Sequence, residues 1–299
     1  MSAKKNIQGL IIGANGLIGR EIGRLLSKKG ILWVGTYSKR PLNGLVPLNI
    51  LNSQDIKEVF SRFSPDAVFH CANLAGGVDF CEKNPEAAGD FHLNATKNVG
   101  SYCKDIDALL VFISTDYVFD GTDAPYREDA VTNPLNLYGR LKLQAECWIQ
   151  ENLKRYIIIR TTNVYGWDPE TVTPNYVMAA YRACRDKKIF NAPSFLWGNP
   201  TYAGDLAEAV LELYLENAAG VFHVIGNSFI NRYEWALKAR EILILDGLSV
   251  NEIKKPSSEM VRRPFKSWLN TEKFVKSHKT ILHNVTDGLR LMKSCIPES

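Results

Sequence analysis

Through the first half of this chain, short apolar runs take turns with longer stretches whose apolar residues recur at helical spacing. The runs are Ile7 to Ile12, Ile31 to Thr36, Ala67 to His70, Ala108 to Ile113 and Tyr156 to Arg160. They are nearly continuous in hydrophobicity, as strands covered on both faces are, rather than alternating as half-solvated strands do. Between them, Leu17 to Lys29, Ser53 to Phe63, a long helix within Asp79 to Cys103, and Leu137 to Asn152 read as amphipathic helices, with Ser53 as a cap. Strand and helix in strict alternation predict an α/β fold built on a doubly wound, mostly parallel, Rossmann-like sheet. From Trp167 onward the rhythm is lost. Pro169, Pro174, Pro193 and Pro200 punctuate that part, around predicted helices at Pro174 to Arg185, Tyr202 to Leu215, Asn231 to Leu245 and Lys279 to Met292, and a strand at Val221 to Ile225.

The first strand runs directly into Gly13-Ala14-Asn15-Gly16-Leu17-Ile18-Gly19 and then into a helix. Strand, glycine turn and helix in that order let the backbone approach a pyrophosphate with no Cβ in the way, and leave free N–H groups at a helix N-terminus for its oxygens. The second strand ends in Tyr37-Ser38-Lys39-Arg40, where a free ribose hydroxyl would call for an acidic residue. Hydroxyl and basic groups there suit a 2′-phosphate, so NADP(H) is predicted over NAD(H). Cys71-Ala72-Asn73-Leu74 leaves the third strand at its carboxyl end, where it can line the cofactor. His70 reads as a satisfied core histidine, and Asn94 and Asn98 share one helix face. Residues 1–166 are thus predicted as an NAD(P)-binding domain, rejoined by about 199–226. The remainder of 167–299 has no phosphate loop of its own and is predicted as a smaller C-terminal α/β lobe that binds substrate.

The chemistry concentrates between Ile113 and Lys142. Ser114, Thr115 and Asp116 would emerge at the carboxyl end of a buried strand, where open α/β sheets hold ligands. Tyr138 and Lys142 are one helical turn apart on one face. An adjacent ammonium favours phenolate, so Lys142 is expected to depress the Tyr138 pKa, fitting the phenol to trade a proton with an alcohol or ketone while Thr115 hydrogen-bonds the same oxygen. The same spacing also occurs in any amphipathic helix with a solvated lysine; the glycine turn upstream is what favours the catalytic reading.

The 36 basic and 32 acidic residues leave a charge of +4 with no basic tract, so nucleic acid is not implied. No apolar run approaches the ~20 residues of a membrane span, and Lys4-Lys5 leads without a cleavable apolar segment, so no membrane association and a cytoplasmic location are the expectations. Six scattered cysteines with no C-x-x-C pair fit reduced thiols rather than disulfides, and no metal site is expected.

Several segments resemble the extended short-chain dehydrogenase/reductase superfamily, and within it the dTDP-4-dehydrorhamnose reductase branch, which includes the regulatory β subunit of methionine adenosyltransferase. They include G-A-N-G-L-I-G-R from Gly13, V-D-F-C-E-K-N-P from Val78, S-T-D-Y-V-F-D-G from Ser114, N-P-L-N-L-Y-G from Asn133, Ile230-Asn231-Arg232-Tyr233, and Arg263-Pro264 before Trp268-Leu269-Asn270. The resemblance implies a reductase that passes hydride from NAD(P)H to the 4-keto group of a nucleotide-linked 6-deoxy sugar, in deoxysugar or surface-polysaccharide synthesis. Thr115 would hold the keto oxygen, Tyr138 would protonate it, Lys142 would also grip the nicotinamide ribose, and Asp116 and Asn163 would face the substrate. Asn49, with Ile50, occupies the place of the branch's acidic adenine contact. Thr162-Asn163-Val164-Tyr165 stands where the branch carries S-W-V-Y, so a tryptophan that packs on the sugar is missing. Asn163-Val-Tyr-Gly is shared with sugar-nucleotide epimerases and dehydratases, and a non-catalytic regulatory subunit that keeps the fold is a further reading. A homodimer is expected by analogy.

Overall fold

The computed structural model describes residues 8–169, 171 and 173–297, so Ile7 lies outside the described residues. In chain order the first half runs β1 (Gly9–Ile12), α1 (Leu17–Lys28), β2 (Trp33–Tyr37), β3 (Val46–Pro47), α2 (Ser53–Phe63), β4 (Ala67–His70), α3 (Gly77–Lys83), α4 (Pro85–Gly89), a π-turn at Asp90–Asn94, α5 (Ala95–Asp105), β5 (Leu109–Thr115), α6 (Leu137–Asn152) and β6 (Tyr156–Thr161). The second half runs β7 (Val164–Tyr165), α7 (Tyr176–Arg185), β8 (Phe190–Pro193), β9 (Trp197–Gly198), β10 (Thr201–Tyr202), α8 (Ala203–Leu215), β11 (Gly220–His223), β12 (Ile230–Asn231), α9 (Arg232–Ile242), β13 (Val250–Ile253), α10 (Glu272–Ser277) and α11 (Val285–Ser294).

Seven of these strands form one parallel sheet in the order β11-β6-β5-β4-β1-β2-β3. The pleat divides its apolar residues between two cores. Ile11, Phe69, Val111, Ile157 and Ile159 pack against Ile22 and Leu26 of α1 and Leu206 and Val210 of α8. Their neighbours Leu10, Ile12, Val68, Leu110, Phe112 and Ile158 pack on the other face against Ile56 and Phe60 of α2, Val99 of α5 and Ile149 of α6. Each such Leu, Ile or Val contributes roughly 1.5–3 kcal/mol of burial, which explains why these strands are apolar over most of their length, with polar residues such as His70, Ser114 and Arg160 gathered at their carboxyl ends. The strand order reverses between β1 and β4, so the crevice beyond their carboxyl ends is the place where ligands bind in sheets of this kind. Residues 203–223 rejoin this sheet: α8 packs on α1, and β11 pairs with β6.

Four expectations are corrected. Asn52, not Ser53, caps α2, accepting a hydrogen bond from the Gln54 backbone N–H at 2.9 Å. The long helix expected within Asp79 to Cys103 is three helices and a π-turn, broken at Asn84-Pro85 because proline has no N–H to give the preceding turn. Residues 279–284 are not helical, and helix α11 starts only at Val285. There the Glu212 carboxylate takes the backbone N–H groups of Lys279 and Thr280, Asp205 takes that of His283, and Asn284 caps α11. His70 is buried but only half satisfied: its Nε2 meets Thr96, while its Nδ1 has no partner among the described residues. The C-terminal lobe has its own core, in which Trp235, Met178, Leu289 and Met292 of α7, α9 and α11 meet Tyr165.

Candidate functional site

The glycine turn has the geometry its sequence calls for. Gly13 holds φ +84, a value L residues rarely adopt, and a Cβ on Gly19 would lie 2.3 Å from the Gly13 carbonyl oxygen, so helix α1 can begin this close to β1 only with glycine there. Gly16 caps α1 with no side-chain hydrogen bond, and no acidic residue sits in the first turn of α1, which leaves an electropositive N-terminus open to phosphate oxygens. Ser38, Lys39 and Arg40 form an exposed loop after β2, and the Asn15 side chain donates to the Arg40 carbonyl at 3.2 Å, joining that loop to the glycine turn. Asn49 is exposed, and its side chain accepts the Leu51 N–H at 3.1 Å, while the Ile50 side chain belongs to the core. A nicotinamide dinucleotide fits this cradle: the turn can carry its pyrophosphate and the basic loop the adenosine end.

A cavity of about 320 Å³ opens at the same sheet edge. Ile18, Cys71, Ala72 and Asn73 line one side of it, and Thr115, Asp116, Tyr138, Lys142 and Asn163 the other, so the residues singled out from sequence converge; Leu74 is not part of this lining. Helix α6 is set by Asn136, whose side chain accepts the Gly139 N–H at 2.9 Å. Gly139 itself sits so tightly on the Tyr117 backbone that a Cβ would come within 2.2 Å of the carbonyl oxygen, which brings Tyr138 up to the end of β5.

The electrostatics differ from the expectation drawn from spacing. Lys142 does not depress Tyr138 here. Burial, and then the Asp116 carboxylate, push the phenol pKa up from its usual 10, with the Thr115 hydroxyl opposing. The lysine is the group that gives way: desolvation lowers it to about 7, against the upward pull of Glu146. Its ammonium donates to the Ile113 carbonyl at 2.6 Å and lies 4.0 Å from the centroid of the Phe112 ring. In so dry a site an ammonium of this kind is a weakly held proton rather than a fixed point charge. Asp116, 2% exposed, is also raised by burial; Ser267 and Thr115 donate to it, and Thr115 Oγ1 in turn accepts the Tyr117 N–H at 3.2 Å.

Ser267 belongs to a belt, residues 262–270, that is fastened beside the cavity through its bond to Asp116. Asn136 donates to the Arg262 carbonyl at 3.0 Å, Arg263 pairs with Asp79 at 2.8 Å, and Tyr126 exchanges backbone hydrogen bonds with Trp268 and Asn270. Beside the belt, Trp197, Phe229 and Trp268 form an aromatic wall, with Phe229 and Trp268 stacked at 4.9 Å. Arg232, lying over Tyr176, donates to the Asn163 side chain at 2.6 Å, and Asn163 holds φ +49. A strained residue at a cavity wall marks a site where the surroundings over-determine the backbone. Sequence reading missed Ser267, Arg232 as the partner of Asn163, and His92. Their partners are remote in sequence, and the asparagine caps of α6 and α9 were the only local signals nearby. The one cluster with metal-ligand spacing among the described residues, Glu212, Glu216 and His278, is not part of this cavity's lining, and its side chains are already engaged, His278 with Glu216 and Glu212 with Thr280.

Residues 7–294 match the model of the RmlD substrate binding domain family. The β subunit of methionine adenosyltransferase 2 from Xenopus tropicalis is 30% identical over 90% of this chain and 82% of its own length. A spore coat polysaccharide biosynthesis protein of Bacillus subtilis is 32% identical over 78% of each. Among solved structures, a hypothetical dTDP-4-dehydrorhamnose reductase from Sulfolobus tokodaii superposes with a TM-score of 0.83 at 30% identity, covering 94% of this chain and 99% of that one. The dTDP-4-dehydrorhamnose reductase of Bacillus anthracis, solved in complex with NADP, superposes with a TM-score of 0.85 at 25% identity over 97% of this chain and all of that one. With the family model spanning nearly the whole chain and solved reductases superposing over almost all of it, this protein belongs to the RmlD substrate-binding-domain family, within the extended short-chain dehydrogenase/reductase superfamily.

Proposed function

We infer that this protein is an NADP(H)-dependent reductase of a nucleotide-linked 4-keto-6-deoxy sugar, serving deoxysugar or surface-polysaccharide synthesis in the cytoplasm. The observation that carries the reading is the meeting of Thr115, Tyr138 and Lys142 in one cavity beside the glycine cradle. Gly13, Asn15, Gly16, Leu17, Ile18 and Gly19 hold the pyrophosphate. Ser38, Lys39 and Arg40 receive the 2′-phosphate, Asn49 and Ile50 border the adenine, and Cys71 to Leu74 flank the dinucleotide. The bound nicotinamide supplies hydride. Thr115 positions the keto oxygen, and Tyr138 donates its phenolic proton to the oxygen as negative charge develops there. A high pKa keeps the phenol protonated until that moment, and the Lys142 ammonium then stabilises the phenolate left behind. Asp116 and Asn163 orient the sugar. Arg232, Arg263 and the aromatic wall suit its nucleotide diphosphate arm.

The test is NADPH consumption on adding dTDP- or UDP-linked 4-keto-6-deoxy sugars, with the product identified. Steady oxidation with a reduced sugar as product supports the reading. Isomerised sugar without net oxidation would make the protein an epimerase. A second reading is favoured by the 30% identity to the methionine adenosyltransferase β subunit over most of both chains: a regulatory subunit that keeps the cofactor cradle. It predicts dinucleotide binding with no sugar turnover, and a stable complex with a catalytic partner.

A further inference from the structure

The π-turn at Asp90–Asn94 interrupts an otherwise continuous helical stretch between Pro85 and Asp105. Such a turn inserts one residue into the helical circuit and re-aims what it carries, and π-turns occur at functional sites far more often than their rarity suggests. The buried side chain here is His92, 3% exposed, whose ring stands edge-on to that of Tyr138, 5.1 Å between centroids and 81° between planes. Its Nε2 is buried and has no hydrogen-bond partner among the described residues.

His70, at the end of β4, lies next to it. The Thr96 hydroxyl donates to the His92 carbonyl oxygen at 2.9 Å, which commits its only proton. Its oxygen must then accept from His70 Nε2, 3.4 Å away, so His70 carries its proton on Nε2 and presents a bare Nδ1, also buried without a partner. The titratable and charged groups facing His92 are His70 from β4 and Tyr138 and Lys142 from α6; Asp116 and Cys81 act on Tyr138 from the end of β5 and from α3. Desolvation first and Lys142 second keep both imidazoles near a pKa of about 3, so each is neutral at ordinary pH. Unpaired ring nitrogens in so dry a place are costly, and an ordered water or a proton in transit is what relieves them.

We propose that His92 returns a proton to Tyr138 after each turnover, directly or through one water at its Nε2. This rests on the reductase reading. When the phenol O–H proton has passed to the substrate oxygen, a phenolate remains. The neutral imidazole releases its N–H proton to that phenolate while its other nitrogen takes one from solvent water. The ring is left as the opposite tautomer and resets when its two nitrogens exchange protons with solvent before the next turnover; the net proton on the product hydroxyl comes from solvent, and the hydroxide left by the donating water is neutralised there. His92 is thus a relay residue acting through Tyr138, and it need not touch the sugar.

His92→Phe retains an aromatic ring against Tyr138 but removes both nitrogens. The expected result is a first turnover of NADPH oxidation at the unaltered rate, followed by steady-state turnover slowed about tenfold or more. The ratio kcat/KM should be unchanged, so KM falls in proportion to kcat, and added imidazole should restore part of the rate. Equal slowing of first and later turnovers, or no slowing, would overturn the proposal. If the phenylalanine variant does not fold, His92→Gln takes its place, with the same two rates compared. A wild-type protein that turns over no nucleotide 4-keto sugar would sink the reductase reading instead, and the apoprotein would then decide on His92. Its 15N tautomer signature should change on Tyr138→Phe if the two side chains are linked, and an unchanged signature would refute the link.

Discussion

Two cations are buried at helix α6, and they are treated in opposite ways. Arg160 of β6 reaches Glu146 with three hydrogen bonds of 2.7 to 3.2 Å; Ser114 donates to the same carboxylate, and Arg160 donates again to the Glu128 carbonyl at 3.1 Å. Lys142, one turn earlier on the helix, has a single carbonyl and an aromatic face. The first is a closed knot, in which the cost of desolvating both charges is offset by complete pairing. The second is an open valence. A buried ammonium with so little to hold its charge is free to answer a charge that comes and goes, such as the Tyr138 phenolate of the proposed reaction would supply. The contrast separates structural from chemical use of buried charge within a few ångströms.

The contrast can be broken in four ways, beginning with the largest effect. Tyr138→Phe should lower turnover by about a hundredfold to ten-thousandfold with cofactor affinity and thermal stability nearly kept; near-normal rates in an NADPH assay would remove the phenol from the chemistry. Glu146→Ala leaves the Arg160 guanidinium buried and unpaired, so denaturant titration should show a loss of about 3–5 kcal/mol, and a loss under about 1 would mean the knot is not closed. Lys142→Met should act in the opposite sense on stability while abolishing turnover. Folding lowers the lysine from 10.5 to about 7, so between those values the unfolded chain binds the extra proton and stability rises with pH. The variant should lose that rise and gain about 1–4 kcal/mol below pH 7, and an unchanged pH slope would show that Lys142 titrates normally. The smallest effect is expected away from both cations: Lys39→Ala with Arg40→Ala should weaken NADPH by roughly tenfold more than NADH, each exposed charge contact of this loop being worth about 0.2–1 kcal/mol. Equal weakening in calorimetry would refute the 2′-phosphate assignment.

The cofactor half was legible in sequence because its signals are local. A parallel strand buried on both faces is apolar over most of its length, and a phosphate turn must be glycine where φ is positive or a helix comes too close for a Cβ. Thus β4 and α6 coincide with their predicted bounds. The mouth was less legible because it is built from distant pieces. Nothing near Ser267 in the chain announces Asp116, and nothing near Arg232 announces Asn163. The strand β8 was missed because its Asn191 faces solvent and its pairing partner β13 lies about sixty residues away. The expected helix over 279–284 failed because acidic side chains on α8 capture its backbone donors, a competition no periodicity reveals.

The belt of residues 262–270 has one more implication. Because Arg263, Ser267 and the Trp268 backbone are each fastened to the cofactor half, that segment is tied down at three separate points and moves with the cofactor half rather than apart from it. Exchanging the exposed Phe265 and Trp268 along it would then change the surface this segment presents while leaving all three moorings in place.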